Sequence, residues 1–193
     1  MRYWCAGTTG PRRVIVDLNE LPYCRACALS TTRQRVVVGS GPSVPGLMVV
    51  GEAPGRSEDE GGEPFIGRSG QLLVRLISEE LGLSRAQYFI TNAVKCRPPQ
   101  NRTPRTSEVV TCHPWLEAQI AHLRPTVILA VGNVAAKAVF GYDEGISRTH
   151  GLVSQCGEVP GVATYHPAAA LRGGPNVVDV MRADLRVLRS LGV

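Results

Sequence analysis

A carboxylate, an amide and an imidazole, those of Glu52, Asn92 and His166, each come just after a short apolar run: LMVV before Gly51-Glu52, YFIT before Asn92 and VATY before His166-Pro167. Side chains at such positions are aimed by rigid backbone and could meet at one rim. An amide offers one donor and one acceptor in a plane, the pattern that reads a base edge; a turn-forming or helix-capping asparagine is the alternative. His166, held between its run and Pro167, is either catalytic or structural. After the first run, GEAPGRSEDEGGEPFIGRSGQLL carries Glu52, Glu58, Asp59, Glu60 and Glu63 against only Arg56 and Arg68. That is the wrong charge for a phosphate cradle, and the loop matches neither G-x-x-x-x-G-K-[ST] nor G-x-G-x-x-G. Its glycines would let backbone approach a flat ligand closely, with Phe65 as the one aromatic face for stacking. A solvated acidic loop around a core phenylalanine is the competing reading.

Cysteines form the second constellation. Cys24 and Cys27 make a C-x-x-C pair, and Cys96 and Cys112 flank the proline- and arginine-rich stretch CRPPQNRTPRTSE. Four thiolates can hold a tetrahedral zinc or an iron-sulfur cluster; the irregular spacing leaves a redox pair or unrelated buried cysteines open. Cys5 and Cys156 lack partners at ligand-like spacing and read as ordinary thiols.

The elements that must position these groups follow from periodicity. Four apolar runs, Leu47 to Val50, Tyr88 to Thr91, Thr126 to Val131 and Val162 to Tyr165, alternate with helical patterns over Gln71 to Leu81, Ser107 to Leu123, Asn133 to Phe140 and Val177 to Leu191. Alternation of this kind predicts an α/β fold with a parallel sheet covered on both faces, and ligands in such sheets bind beyond the carboxyl ends of the strands. Glu52, Asn92, Gly132-Asn133 and His166-Pro167 all fall there. With 193 residues, 44% of them hydrophobic, the chain reads as one domain spanning 1–193, residues 1–20 resisting assignment. No run is long enough to cross a membrane and no export signal is visible, so a cytoplasmic location and reduced cysteines are expected. The formal charge of +5 is carried almost wholly by arginine, Lys95 and Lys137 being the only lysines. Arginine suits phosphates and base edges, although a compositional bias would look the same.

Taken together, GEAPGRSEDEGGEPFIGRSGQLL, YFITNAVKCRPPQNR, CHPWLEAQI and YHPAAALR, in this order from Cys24 to Arg172, resemble the family 4 uracil-DNA glycosylases of the uracil-DNA glycosylase superfamily. The resemblance implies a three-layer α/β/α sandwich around a mostly parallel four-stranded sheet, and a 4Fe-4S cluster on Cys24, Cys27, Cys96 and Cys112. It implies hydrolysis of the N-glycosidic bond of uracil in DNA to leave an abasic site, with uracil-containing DNA as partner, no membrane and a monomeric protein. The base would be flipped into a pocket made by Gly51, Ala53, Phe65 and Asn92, Phe65 stacking on it and Asn92 bonding its polar edge. His166 would stabilise charge growing on O2. Several superfamily members keep a water-activating aspartate near this motif, but Ala53 follows Glu52 here, so Glu52 becomes the candidate for positioning water or steadying the cationic sugar. Arg97, Arg102 and Arg105 would contact phosphates, with a solvated basic loop as the alternative, and Leu171 or Arg172 would fill the gap left by the flipped nucleotide, with a helix-entry turn as the alternative. Two rivals remain: covalent capture of uracil-DNA as in the related family X, for which no histidine occurs after the asparagine motif until His113, and a non-catalytic metal-stabilised nucleic-acid module.

Overall fold

The computed structural model describes residues 16–173 and 175–193. Strands β1 (Leu47–Gly51), β2 (Phe89–Asn92), β3 (Val127–Val131), β4 (Val153–Cys156) and β5 (Val159–Thr164) form one sheet in the order β2-β1-β3-β5-β4. The pairs β1–β2, β1–β3 and β3–β5 are parallel, and β4 pairs antiparallel with β5 at the edge. The mostly parallel α/β sheet expected from the alternation is therefore present, with one strand more than the apolar runs announced. β4 escaped because it is not apolar: VSQC lies at an edge with Val153 exposed and polar Ser154 and Gln155 between it and Cys156. An edge strand has no need of the continuous hydrophobic run that a strand buried on both faces must have.

Strand residues alternate between two cores. Met48, Val50, Ile128 and Ala130 pack on one face with Leu116, Val139 and the buried Cys96 and Cys112. Leu47, Val49, Val127 and Leu129 pack on the other with Leu73, Leu76, Ile77, Met181, Leu185 and Leu188. The second set comes from α2 (Arg68–Leu81) and α7 (Pro175–Arg189), the first, apart from Cys96 in the loop after β2, from α3 (Thr106–Leu123) and α4 (Asn133–Phe140), so helices cover both faces and make three layers. The remaining helices are short: α1 (Arg56–Gly61), α5 (Ile146–Thr149) and α6 (Pro167–Gly173). Across the α2–α7 seam, Arg182 pairs with Glu79 and Glu80, and Arg186 with Glu80.

The segment before β1 is a strap rather than a strand. A 3-10 turn over Leu18–Tyr23 buries Leu21 and leads into Cys24. Further on, Val37 N–H donates to Lys95 O at 2.8 Å and Ser40 bridges Ile90, so the strap covers the open edge of β2. Cys156, expected as an ordinary thiol, is disulfide-bonded; the expectation for Cys5 lies outside the described residues. No helix among the described residues is long and apolar enough to cross a membrane.

Candidate active site

The acidic loop after β1 is built by its own carboxylates. Glu58 accepts from the backbone N–H groups of Gly55 (3.1 Å) and Gly67 (2.8 Å), stapling the two ends of the loop. Buried Asp59 accepts from the N–H groups of Gln34 and Arg35 and so fastens the strap. Glu60 pairs with Arg56, and Glu63 accepts from Ser40 Oγ. Of the five acids only Glu52 makes no hydrogen bond or ion pair with its side chain among the described residues. It lies half-buried in the wall of a cleft of about 540 Å³, and burial lifts its carboxyl above the usual range.

That cleft opens beyond the carboxyl ends of β1, β2, β3 and β5, and its lining includes Glu52, Ala53, Phe65, Asn92, His166 and Arg172. Gly51 and Asn92 are register partners at the ends of β1 and β2. A Cβ on Gly51 would overlap both the Phe65 ring edge and Asn92 Oδ1, so an aromatic ring and an amide converge on a position where any side chain would clash. Phe65 takes a positive φ of 59°, a conformation that is costly for a bulky side chain and is sustained by its surroundings. Gly70 in the first turn of α2 is one support, because a Cβ there would run into the Phe65 backbone. The Asn92 residue is 2% exposed, and its side-chain amide has no hydrogen-bond partner among the described residues. An amide left free beside a cleft wants a ligand.

His166 follows β5 and is half-buried. Its Nδ1 accepts from the Ala168 N–H at 3.2 Å, which places the proton of the neutral ring on Nε2. Burial, assisted by the charge of Arg172 and opposed by Glu58, pulls its pKa down to about 4. The ring is therefore neutral at physiological pH and offers Nε2–H as a donor. Gly132, in the loop after β3 with φ +88°, allows the close approach: a Cβ there would stand 3.1 Å from His166 Cβ.

The expected DNA contacts divide. Arg172 lines the cleft and is exposed, and its neighbour Leu171 is 51% exposed. Arg102 also lines the cleft, but its guanidinium is held by both oxygens of Glu108 at 2.9 and 2.6 Å, and Glu108 in turn accepts from the Arg105 N–H at the start of α3. Arg97 donates from Nε to Asn101 Oδ1 at 2.7 Å. Both arginines thus brace the loop between β2 and α3.

Behind the cleft, Cys24, Cys27, Cys96 and Cys112 line one cavity with Leu21, Val36 and Trp115, and all four are unbridged. Among the described residues no group of three or more Cys, His, Asp and Glu is placed to hold a metal ion. Burial pushes the Cys96 thiol up to about 12 and raises Cys112 as well. Two donors already point at the sulfurs: Arg33 Nη1 at 3.4 Å from Cys96 Sγ, and the Lys95 N–H at 3.3 Å from Cys112 Sγ. Lys95 itself, which the sequence reading passed over, is 1% exposed between this cavity and Asn92. Its rarity was the available signal, since it is one of two lysines in an arginine-rich chain.

The family model for the uracil DNA glycosylase superfamily matches residues 38–186. A Type-4 uracil-DNA glycosylase of Pyrobaculum aerophilum is 47% identical over 158 residues, covering 77% of this chain and 80% of that protein. One from Archaeoglobus fulgidus is 41% identical over 182 residues, covering 90% of each. A Type-5 uracil-DNA glycosylase of Pyrobaculum aerophilum is 34% identical over 139 residues, covering 63% of this chain and 61% of that protein.

Proposed function

The chain belongs to the uracil DNA glycosylase superfamily, and we propose that it is a DNA repair hydrolase that cleaves the N-glycosidic bond of uracil in DNA. The observation that carries this reading is the convergence of the Phe65 ring and the free Asn92 amide over Gly51, in the same cleft as a neutral His166. A flipped base has a π-face and a polar edge, and this site offers a partner for each. In the reaction, water adds to C1′ of the deoxyribose while the bond from C1′ to N1 breaks, the electron pair leaving with uracil and the proton lost by the water ending on the departed base. His166 donates Nε2–H to O2, where the negative charge grows, and does so without itself titrating. Glu52, the one loop carboxylate without a structural bond among the described residues, orients the water and faces the cationic sugar. Arg172 meets the phosphate backbone, with Leu171 beside it at the duplex; Arg97 and Arg102 act indirectly by holding their loop. The chain is a single domain acting as a monomer.

The chemistry of the four thiols fits a 4Fe-4S cluster. They line one cavity, and the buried thiols of Cys96 and Cys112 resist ionising unless cationic charge is brought in. Donors aimed at sulfur, here Arg33 and the Lys95 amide, are the usual surroundings of such a group. When bound, the cluster supplies a cross-link between the strap and the β2–α3 loop, and no step of the hydrolysis passes through it.

Covalent capture is disfavoured by the position of His113, which is 8% exposed within α3 with Nε2 3.2 Å from Ala138 O. Mixing the protein with a uracil-containing oligonucleotide separates the readings. Free uracil with an alkali-labile site is expected; an adduct that survives denaturant, or bound intact DNA, would overturn the proposal.

A further inference from the structure

Lys95 places an ammonium group where burial is most costly, with no carboxylate in ion-pair range among the described residues, so the fold must need what it does there. Its three donors are all used: on Thr91 Oγ1 at 2.8 Å, Asn92 O at 2.7 Å and Gln119 Oε1 at 2.6 Å. The acceptors are themselves fixed, because Thr91 Oγ1 and Gln119 Nε2 both donate to Val38 O in the strap. The bond to Asn92 O is the informative one. That carbonyl is the last of β2, and the N–H of the same peptide unit, on Ala93, donates to Gly51 O at 2.8 Å. The peptide after Asn92 is therefore gripped on both edges, by β1 on one side and by Lys95 on the other, which sets the direction of the Asn92 side chain. Lys95 is itself clamped, its N–H on Cys112 Sγ and its carbonyl on the Val37 N–H.

We infer that Lys95 is the positioning residue for base recognition: it ties the thiol-lined cavity, α3 and the strap to the peptide that aims the Asn92 amide at the uracil edge. The inference rests on Asn92 reading that edge. A neutral side chain with fewer donors leaves an acceptor unmet and frees the peptide to rotate, which degrades the pocket without touching the DNA-facing surface.

The test compares the wild-type protein, Lys95→Met, which keeps the length of the stem and removes the donors, and Thr91→Val, which removes one acceptor together with the Thr91 bond to Val38 O. Folding and iron content are checked by circular dichroism, melting temperature and iron assay. Excision is followed under single-turnover conditions, and free uracil is titrated as an inhibitor. Excision by the wild-type protein tests the underlying reading separately. The inference expects folded Lys95→Met to lose about 100-fold in rate and to bind free uracil about tenfold more weakly, with unchanged affinity for uracil-free duplex. Thr91→Val should shift both quantities the same way by less. Wild-type excision and wild-type inhibition by uracil in folded Lys95→Met would overturn it. If Lys95→Met does not fold, wild-type values of both quantities in Thr91→Val would overturn it instead.

Discussion

At the scale of single residues, the site separates groups by what they are free to do. Glu58, Asp59, Glu60 and Glu63 are spent on backbone and side-chain bonds within the loop and strap, whereas Glu52 and the Asn92 amide are left unspent beside the cleft. Asn92→Asp exchanges a donor for an acceptor, so uracil excision should fall steeply while DNA affinity holds; undiminished excision would remove Asn92 from the site. His166 makes a pH prediction. Its folded pKa of about 4 lies below the ordinary 6.5, so between those values the unfolded chain takes up a proton that the folded ring refuses. The ring's contribution to stability is present above about 6.5 and is lost as pH falls toward about 4. Excision, needing only the neutral ring, should show no ionisation near 6.5; a single-turnover rate that climbs as pH drops from 7.5 to about 5.5 would mean that the imidazolium is required. Glu52, Asn92 and His166 were legible because each directly follows an apolar run. Lys95 and Gln119 were not, because their bond crosses from the loop after β2 to α3 and only tertiary packing brings them together.

At the scale of elements, the parallel strands were legible for a physical reason: being buried on both faces, they are written as unbroken apolar runs. β4 has an exposed face and the strap has little regular structure, so neither leaves that signature. The spacing of the cysteines told little for the same kind of reason, since Cys24 and Cys27 reach Cys96 and Cys112 only through the folding of the strap over β2. The glycines of the loop after β1 are more demanding than a flexible tether would require. Gly51→Ala pushes a methyl into the Phe65 ring and the Asn92 amide, and excision should fall by about 100-fold from misplacement of the pocket, with far-UV circular dichroism unchanged. A wild-type rate in that variant would show that the convergence over Gly51 is incidental. For the thiol-lined cavity, purified protein should be yellow-brown and contain iron and sulfide. Cys96→Ala or Cys112→Ala should lose iron and melt at a lower temperature, because binding and folding of such a site are linked; stoichiometric zinc in protein made with ample iron would contradict the cluster.

At the scale of the whole molecule, the sheet works as a platform with two ends of different character. Its carboxyl ends gather the cleft from four separate loops, and the strap and the β2–α3 loop brace one side of it through the cysteine-lined cavity. On the proposed reading, the positive net charge of +5 gives attraction to any DNA, while discrimination rests on the few groups inside the cleft. Binding and chemistry should accordingly be separable by mutation.

That separation is tested most directly by single-turnover excision of uracil from duplex DNA at saturating enzyme, comparing the wild-type protein with His166→Ala alongside a measurement of DNA affinity. Such conditions isolate the chemical step from binding and product release. Removing one donor to a growing anion costs about 100- to 1000-fold in rate. The predicted result is rapid release of uracil by the wild-type protein and a fall of that order in His166→Ala, with DNA affinity unchanged. A wild-type rate in His166→Ala would contradict the account.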